Sequence, residues 1–268
     1  MHYTTFLFDL DHTLLDSDTS EVEAYAHTMA VIGLDDPDHH FDRYVTINRE
    51  MWRAVETGTM RPDEVRFRRF EQFVAEIGID ADPVAMAEAF VWGLGAHGEL
   101  YAGARDVLDA LTGRARLGLV TNGLSEVQRA RIERLDLGHY FDAVVISSEV
   151  GVTKPRREIF DLTFDRLGSP DPATALMVGD SLSSDSRGGR DYGIDTCWFN
   201  QHGVTAGPDD VMTHEVRSLS EILDLVAHPG GGQTPSGVRA SGEEHVGVED
   251  AVGVEGGLDG TPRGELTG

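Results

Sequence analysis

From about residue 104 to residue 227 the chain alternates helical and extended patterns, and that alternation leaves few folds open. ARDVLDALTG reads as a helix and ARLGLVTNG as a strand. SEVQRARIERLDLG with FDAVVIS, PRREIFDLTFDRLG with ATALMVGD, and SSDSRGGRDYG with IDTCWFN repeat the pair. A short strand near Glu215–Arg217 and the helix SLSEILDLVA close the series. Strands separated by helices in this way build a parallel sheet covered on both faces. The expected fold class is therefore α/β, with a Rossmann-like parallel sheet at its core.

One more strand precedes this series. TTFLFDLD is a continuous apolar run ended by acids, the signature of a buried parallel strand. Between it and the rest stand four helical patterns in a row: SEVEAYAHTMAVIG, FDRYVTINREMWRAVETG, PDEVRFRRFEQFVAEIG and DPVAMAEAFVWGLG. Each ends at glycine or follows a start signal such as Pro62 or Asp82-Pro83. Four helices without a strand between them form an inserted cap. The expected division is a core of residues 1–15 and 99–227, a cap of residues 16–98, and a tail of residues 228–268. The tail is rich in glycine and scattered acids and has almost no large apolar residues. It is expected to be disordered, because it cannot bury enough surface to offset its ordering entropy.

Composition narrows the function. The net charge of −25 should repel nucleic-acid backbones and anionic membranes, so neither is an expected partner. No apolar run approaches the roughly 18 residues of a membrane helix. No signal-peptide pattern precedes the first strand, and a cytoplasmic protein is expected. The single cysteine, Cys197, fits a reducing compartment and reads as a buried structural thiol. Lys154 is the only lysine among 22 basic residues.

In an open parallel sheet, ligands bind at the carboxyl ends of the strands. The first strand ends in Asp9-Leu10-Asp11-His12-Thr13 and the second in Thr121-Asn122-Gly123. Gly151-Val152-Thr153-Lys154-Pro155 follows the third, and the fourth ends in Gly179-Asp180 with Asp185 just beyond. This set suits phosphoryl transfer to water. A phosphate monoester is an anion that resists attack, and crowded carboxylates would repel it further. A Mg2+ ion removes both difficulties, since it takes hard oxygen ligands from one or two carboxylates plus substrate phosphate. Asp9 and Asp180 can supply carboxylate ligands and Asp11 its backbone carbonyl. Lys154 and Thr121 can hold the remaining phosphate oxygens. Asp9 and Asp11, two apart on an extended chain, point to the same side. One can attack phosphorus, and the other can protonate the leaving alkoxide and later deprotonate water. The expectation is that a metal keeps Asp9 ionised while Asp11 can hold a proton.

DLDHT, VTNG, the lysine of VGVTKP and GDSLSSD resemble, in order and separation, the four motifs of the haloacid dehalogenase superfamily. The resemblance covers residues 1 to about 225. It implies Asp9 as nucleophile and Mg2+ ligand, and Asp11 as general acid/base. Thr121 and Lys154 become phosphate-binding residues with Asn122 beside them. Asp180 becomes the second carboxylate ligand, and Asp185 the acid supporting the metal's water shell. The helical insertion resembles that superfamily's C1-type cap. VISSEVGVTKPRREIF, LMVGDSLSSD, TCWFN and INREMWRAVETG are similar to the pyrimidine 5′-nucleotidases that act on noncanonical deoxyribonucleotides. The implied substrate is thus a small phosphate ester, a pyrimidine nucleoside 5′-monophosphate. The alternatives are phosphoglycolate, a sugar phosphate or an acylneuraminate phosphate.

Other readings fit less well. Dehalogenase chemistry needs neither Asp11 nor Asp180, and a silent binding protein needs none of the set. His12 stands where related motifs often carry glycine, a departure of little cost if the backbone there is ordinary. Of the cap arginines Arg53, Arg61, Arg66, Arg68 and Arg69, most should be solvated, with one or two free to meet a nucleotide. Trp52 and Phe67 could stack on a base, although helical spacing favours a core role. Asn48 could read a base edge.

Overall fold

The computed structural model describes residues 3–34 and 38–227. Six strands form one sheet: β1 (Thr5–Phe8), β2 (Arg116–Thr121), β3 (Ala143–Ile146), β4 (Ala175–Gly179), β5 (Asp195–Phe199) and β6 (His214–Val216). All neighbours pair in parallel, in the order β3-β2-β1-β4-β5-β6. The expected α/β sheet is therefore present. The chain winds outward from β1 through β2 to β3, then returns past β1 to build β4, β5 and β6. The winding reverses beside β1, and a crevice opens at such a point at the carboxyl ends of the strands.

The helices are α1 (Ser17–Ile32), α2 (Asp38–Glu56), α3 (Pro62–Ile77), α4 (Pro83–Ala96), α5 (Ala104–Leu111), α6 (Ser125–Arg134), α7 (Ser147–Val150), α8 (Arg157–Arg166), α9 (Arg187–Tyr192) and α10 (Ile222–Ala227). The period of two along β1 sorts its side chains between two cores. Phe6 and Phe8 join Leu119, Val178 and the α5 residues Val107, Leu108 and Leu111. Leu7 points the other way, into a cluster with Val145, Met177 and the α8 residues Ile159, Phe160 and Phe164. Cys197 is buried in β5, as expected of a structural thiol.

The four consecutive helices lie between β1 and α5 and share an apolar cluster of their own. Tyr25, Tyr44, Phe70, Phe73 and Phe90 stand at its centre. Their ends follow local chemistry. Asp16 caps α1 by accepting from the Thr19 N–H at 3.1 Å, and Asp82 caps α4 by accepting from Val84 at 2.9 Å. Pro62 and Pro83 occupy first-turn positions, where the missing N–H costs nothing. Gly33 and Gly78 end α1 and α3 in the left-handed region at φ of 66° and 71°.

Two local outcomes differ from the sequence reading. SSDSRGGRDYG is not one short helix. It begins with a wider turn over Leu182–Ser186, where Ser186 N–H donates to Ser181 O at 3.1 Å, and only then becomes α9. That turn carries Asp185 inward. SLSEILDLVA likewise opens with a tight turn at Leu219–Glu221 before α10. The expected tail, residues 228–268, lies outside the described residues. No helix among the described residues is long and apolar enough to cross a membrane.

Helices α1 and α4 touch at their backbones. A methyl group on Gly93 would lie 2.7 Å from the Cα of Ala24, too close for any real contact. In an exposed helix, Gly→Ala stabilises by about 1 kcal/mol. Here Gly93→Ala should instead destabilise by about 1–2 kcal/mol through overpacking. Urea unfolding of the variant beside the parent protein checks the sign.

Candidate functional site

β1 delivers Asp9 to the crevice, with its N–H bound to Val178 O of β4 at 3.0 Å. β4 delivers Asp180, which is pinned from two sides. Its N–H donates to Thr13 Oγ1 at 3.0 Å, and its carbonyl accepts from Trp198 Nε1 at 2.7 Å. The turn after β4 delivers Asp185, whose carboxylate accepts from Ser181 N–H at 3.1 Å. Only glycine fits before Asp180, because a Cβ on Gly179 would lie 2.1 Å from Asp185 Oδ2. Lys154 arrives from the loop after α7. Its Nζ lies 2.7 Å from Asp9 Oδ1 and 2.7 Å from Asp185 Oδ1, with the lysine 1% exposed.

Oxygens of Asp9, Asp180 and Asp185 all lie within 4.8 Å of one another. Three carboxylates against one ammonium leave a local excess of negative charge when all are ionised. Burial pushes the Asp9 carboxyl well above the usual range, and Asp185 and Asp180 add to that against the pull of Lys154. Burial and the Asp185 charge push Asp180 up to about 7. Burial pulls the Lys154 ammonium down, but Asp185 and Asp9 outweigh it and the net shift is upward. A hard-oxygen cluster this crowded fits a divalent cation, which would offset the repulsion.

Asp11 faces a different neighbourhood. It accepts from Ser17 Oγ at 2.6 Å, from Gln128 Nε2 at 2.5 Å, and from the buried guanidinium of Arg131. Burial raises its pKa, yet Arg131, Ser17 and Gln128 outweigh burial and hold the carboxyl below its usual value. The protein's own charges thus shift the two carboxyls in opposite directions, Asp9 upward and Asp11 downward, and a cation beside Asp9 would act against the upward shift. The cause of the downward shift lies in α6. Gln128 and Arg131 are not among the residues the sequence singles out, because SEVQRARIER is dense in charged residues and carries no motif. Their spacing of three, beside the apolar Val127 and Ile132, was the available signal for a shared inward face. Arg131 also donates to Leu94 O of α4 at 2.9 Å and to Ser20 of α1 at 2.8 Å, so it joins Asp11 to the four-helix insertion.

The other predicted residues fall nearby in different roles. Thr121 ends β2 fully buried, and its hydroxyl accepts from Gln128 Nε2 at 2.8 Å. Asn122 exchanges two hydrogen bonds with the Lys154 backbone, donating to its carbonyl at 3.0 Å and accepting its N–H at 2.9 Å. Asn122 therefore sets the position of the lysine. His12 adopts φ of 56°, so its backbone is not ordinary: it takes the left-handed conformation that glycine occupies without strain. His12 carries that cost and places its ring 3.7 Å from Asp18.

A cavity of about 680 Å³ spans the crevice and the insertion. Asp9, Asp11, Asn122, Lys154 and Asp180 of the strand-end segments line it, and so do Glu21, Asn48, Trp52, Arg53, Arg69 and Phe90 of the inserted helices. Among the candidate cap residues, Asn48, Trp52, Arg53 and Arg69 thus reach it. Phe67 is exposed and carries the Arg66 guanidinium over its ring. Arg61, Arg66 and Arg68 pair with Asp63, Glu126 and Glu64.

Residues 3–193 match the haloacid dehalogenase-like hydrolase family. The pyrimidine 5′-nucleotidase YjjG of Escherichia coli is 34% identical over 228 residues, 84% of this chain and 99% of that protein. The pyrimidine 5′-nucleotidase PynA of Streptococcus pneumoniae is 33% identical over 84% of this chain and 96% of its own length. The crystal structure of the HAD-hydrolase YfnB of Bacillus subtilis, bound to magnesium, superposes with a TM-score of 0.78 at 33% identity. It covers 84% of this chain and 98% of that one.

Removing the Arg131 cation leaves Asp11 charged and nearly surrounded. Arg131→Met should therefore destabilise the fold by about 3 kcal/mol, the low end for a broken buried pair because Asp11 keeps some solvent contact. A lower urea midpoint at constant slope, with the midpoint shift times the slope equal to that loss, is the expected result.

Proposed function

The chain belongs to the haloacid dehalogenase-like hydrolase family, and from that premise we propose that it is a Mg2+-dependent phosphatase of pyrimidine nucleoside 5′-monophosphates. The single observation behind the chemistry is the meeting of Asp9, Asp180, Asp185 and Lys154 at the carboxyl-end side of the sheet, with Asp9, Asp180 and Lys154 lining one cavity and Asp185 buried behind them. The nucleotide reading is supported by the two nucleotidases, each matched over nearly its whole length.

Asp9 is the nucleophile in this reading. Its carboxylate attacks phosphorus, the P–O ester bond breaks, and an aspartyl-phosphate forms. The leaving alkoxide takes a proton from Asp11. Water then attacks the aspartyl-phosphate and gives its proton to Asp11, which frees phosphate and restores Asp9. One proton is given and one taken, so each turnover closes on itself. The hydrogen bonds from Arg131, Gln128 and Ser17 suit Asp11 to the second half, in which it must be an ionised acceptor. Asp9 and Asp180, with the Asp11 carbonyl, would hold the Mg2+, and Asp185 would support it. The ion supplies charge neutralisation between carboxylates and phosphate. Lys154 and the Thr121–Asn122 segment hold the phosphate, Lys154 as a compact charge that arginine would not reproduce. Residues 16–98 act as a cap over a core of residues 1–15 and 99–227 and exclude water from the cavity.

Phosphate release from dUMP and dTMP should require Mg2+ and stop with EDTA. Asp9→Asn should lower kcat by on the order of 1,000-fold or more. Release that persists in EDTA or in Asp9→Asn would reject this mechanism, and preference for a sugar phosphate would reject the substrate. A second expectation needs no turnover. Mg2+ at about 100 times its Kd should add about 2.7 kcal/mol to the stability, read as a rise in Tm. Asp180→Asn should abolish most of that rise.

A further inference from the structure

Helix α3 carries a charged side chain into the cavity wall far from the carboxylate cluster in sequence. Arg69 is 1% exposed and lies with its guanidinium 4.3 Å from the Phe90 ring centroid and 5.3 Å from that of Phe70. The two rings hold its plane in place. Its Nη1 donates to Asn48 Oδ1 at 3.3 Å, and Asn48 Nδ2 donates in turn to Glu21 Oε1 at 2.6 Å. Three helices, α1, α2 and α3, thus supply one chain of polar groups, and all three side chains line the cavity.

This chain is incomplete by itself. Arg69 Nε and Nη2 are buried and have no hydrogen-bond partner of acceptable geometry, and the same holds for the Tyr44 hydroxyl, which lies beside both Arg69 and Glu21. Two donors are therefore left in a place where water is scarce, and native proteins rarely leave such groups unmatched without a ligand or ordered water. Within this chain of contacts one guanidinium stands against one carboxylate. A second carboxylate on a ligand would meet Glu21 as well as Arg69. A neutral group that accepts from one side and donates from the other meets no such conflict. The ring edge of a pyrimidine has that form. Its carbonyl oxygens accept, while a ring N–H (uracil, thymine) or an amino group (cytosine) donates.

We propose that Arg69, Glu21 and Asn48 form the base-reading end of the cavity, with Arg69 donating to a keto oxygen of a pyrimidine base and Glu21 accepting from its N–H group. Asn48 is the positioning residue between them. The inference rests on the nucleotide reading above and deepens it. It separates selection of the base, by α1 to α3, from the chemistry at the strand ends.

The test compares dUMP, dTMP and dCMP with 2-deoxyribose 5-phosphate, which keeps the sugar and phosphate and lacks the base. Arg69→Met keeps a stem against Phe90, and Glu21→Gln keeps an acceptor for Asn48. In each variant the ratio of kcat/KM for the pyrimidine nucleotides to that for the base-free ester should fall by at least about 10-fold, mainly through KM. The three nucleotides show which donor group Glu21 meets. Should Arg69→Met fail to fold, as its melting curve would reveal, Glu21→Gln carries the comparison. An unchanged ratio, or equal losses on nucleotide and base-free ester, overturns the base-reading role and leaves the nucleotidase reading standing. A parent protein with no preference for pyrimidine nucleotides over the base-free ester overturns both.

Discussion

The buried ammonium of Lys154, shared between Asp9 and Asp185, is the interaction around which the site is arranged. Removing such a charge from water costs several kcal/mol unless anions surround it. Two carboxylates do so here, Asp9 from the end of β1 and Asp185 from the turn after β4. The requirement reaches outward. Gly179 must lack a side chain so that Asp185 can approach, and the turn over Leu182–Ser186 must widen to turn Asp185 inward. Asn122 must grip the Lys154 backbone from the end of β2. The parallel sheet brings these segments together because β1 lies between β2 and β4.

A second charge network keeps Asp11 apart from that cluster. Asp11 belongs to Arg131, Gln128 and Ser17, whereas Asp9 belongs to Lys154. Two carboxylates two residues apart thereby acquire opposite shifts from the same burial. Arg131 reaches α1 and α4 as well, so the group that sets the charge of Asp11 also anchors the inserted helices. Core and insertion meet again where Ser183 donates to Glu56 at 3.0 Å. The cavity between them is lined both by the acidic strand-end residues and by polar and charged side chains of the inserted helices.

Much of this was legible in the residues. Apolar runs ended by DLDHT, VTNG and GDSLSSD located the strand ends. Lys154 stood out as the only lysine in an arginine-rich chain. Proline, aspartate and glycine marked the starts and ends of the inserted helices. Other features were hidden for physical reasons. Arg131 and Gln128 sit in a helix whose charges look solvated, and only packing of α6 against α4 turns one face inward. Arg69 belongs to the run RFRRF, and nothing local distinguishes it from Arg66 and Arg68. The first is buried on two aromatic rings, while the others pair with surface acids. The backbone at His12 was equally invisible, because histidine does not announce a positive φ as glycine does.

The sequence by itself determined the α/β class, the four inserted helices and the chemical types gathered at the strand ends. Those follow from local periodicity, capping and the order of motifs, which are properties of neighbouring residues. Only the tertiary structure decided which carboxylate pairs with lysine and which with arginine. It alone also decided which of several arginines faces the cavity. Ionisation and selectivity depend on burial and on partners far away in the chain, and those distances exist only after the sheet and the insertion have packed.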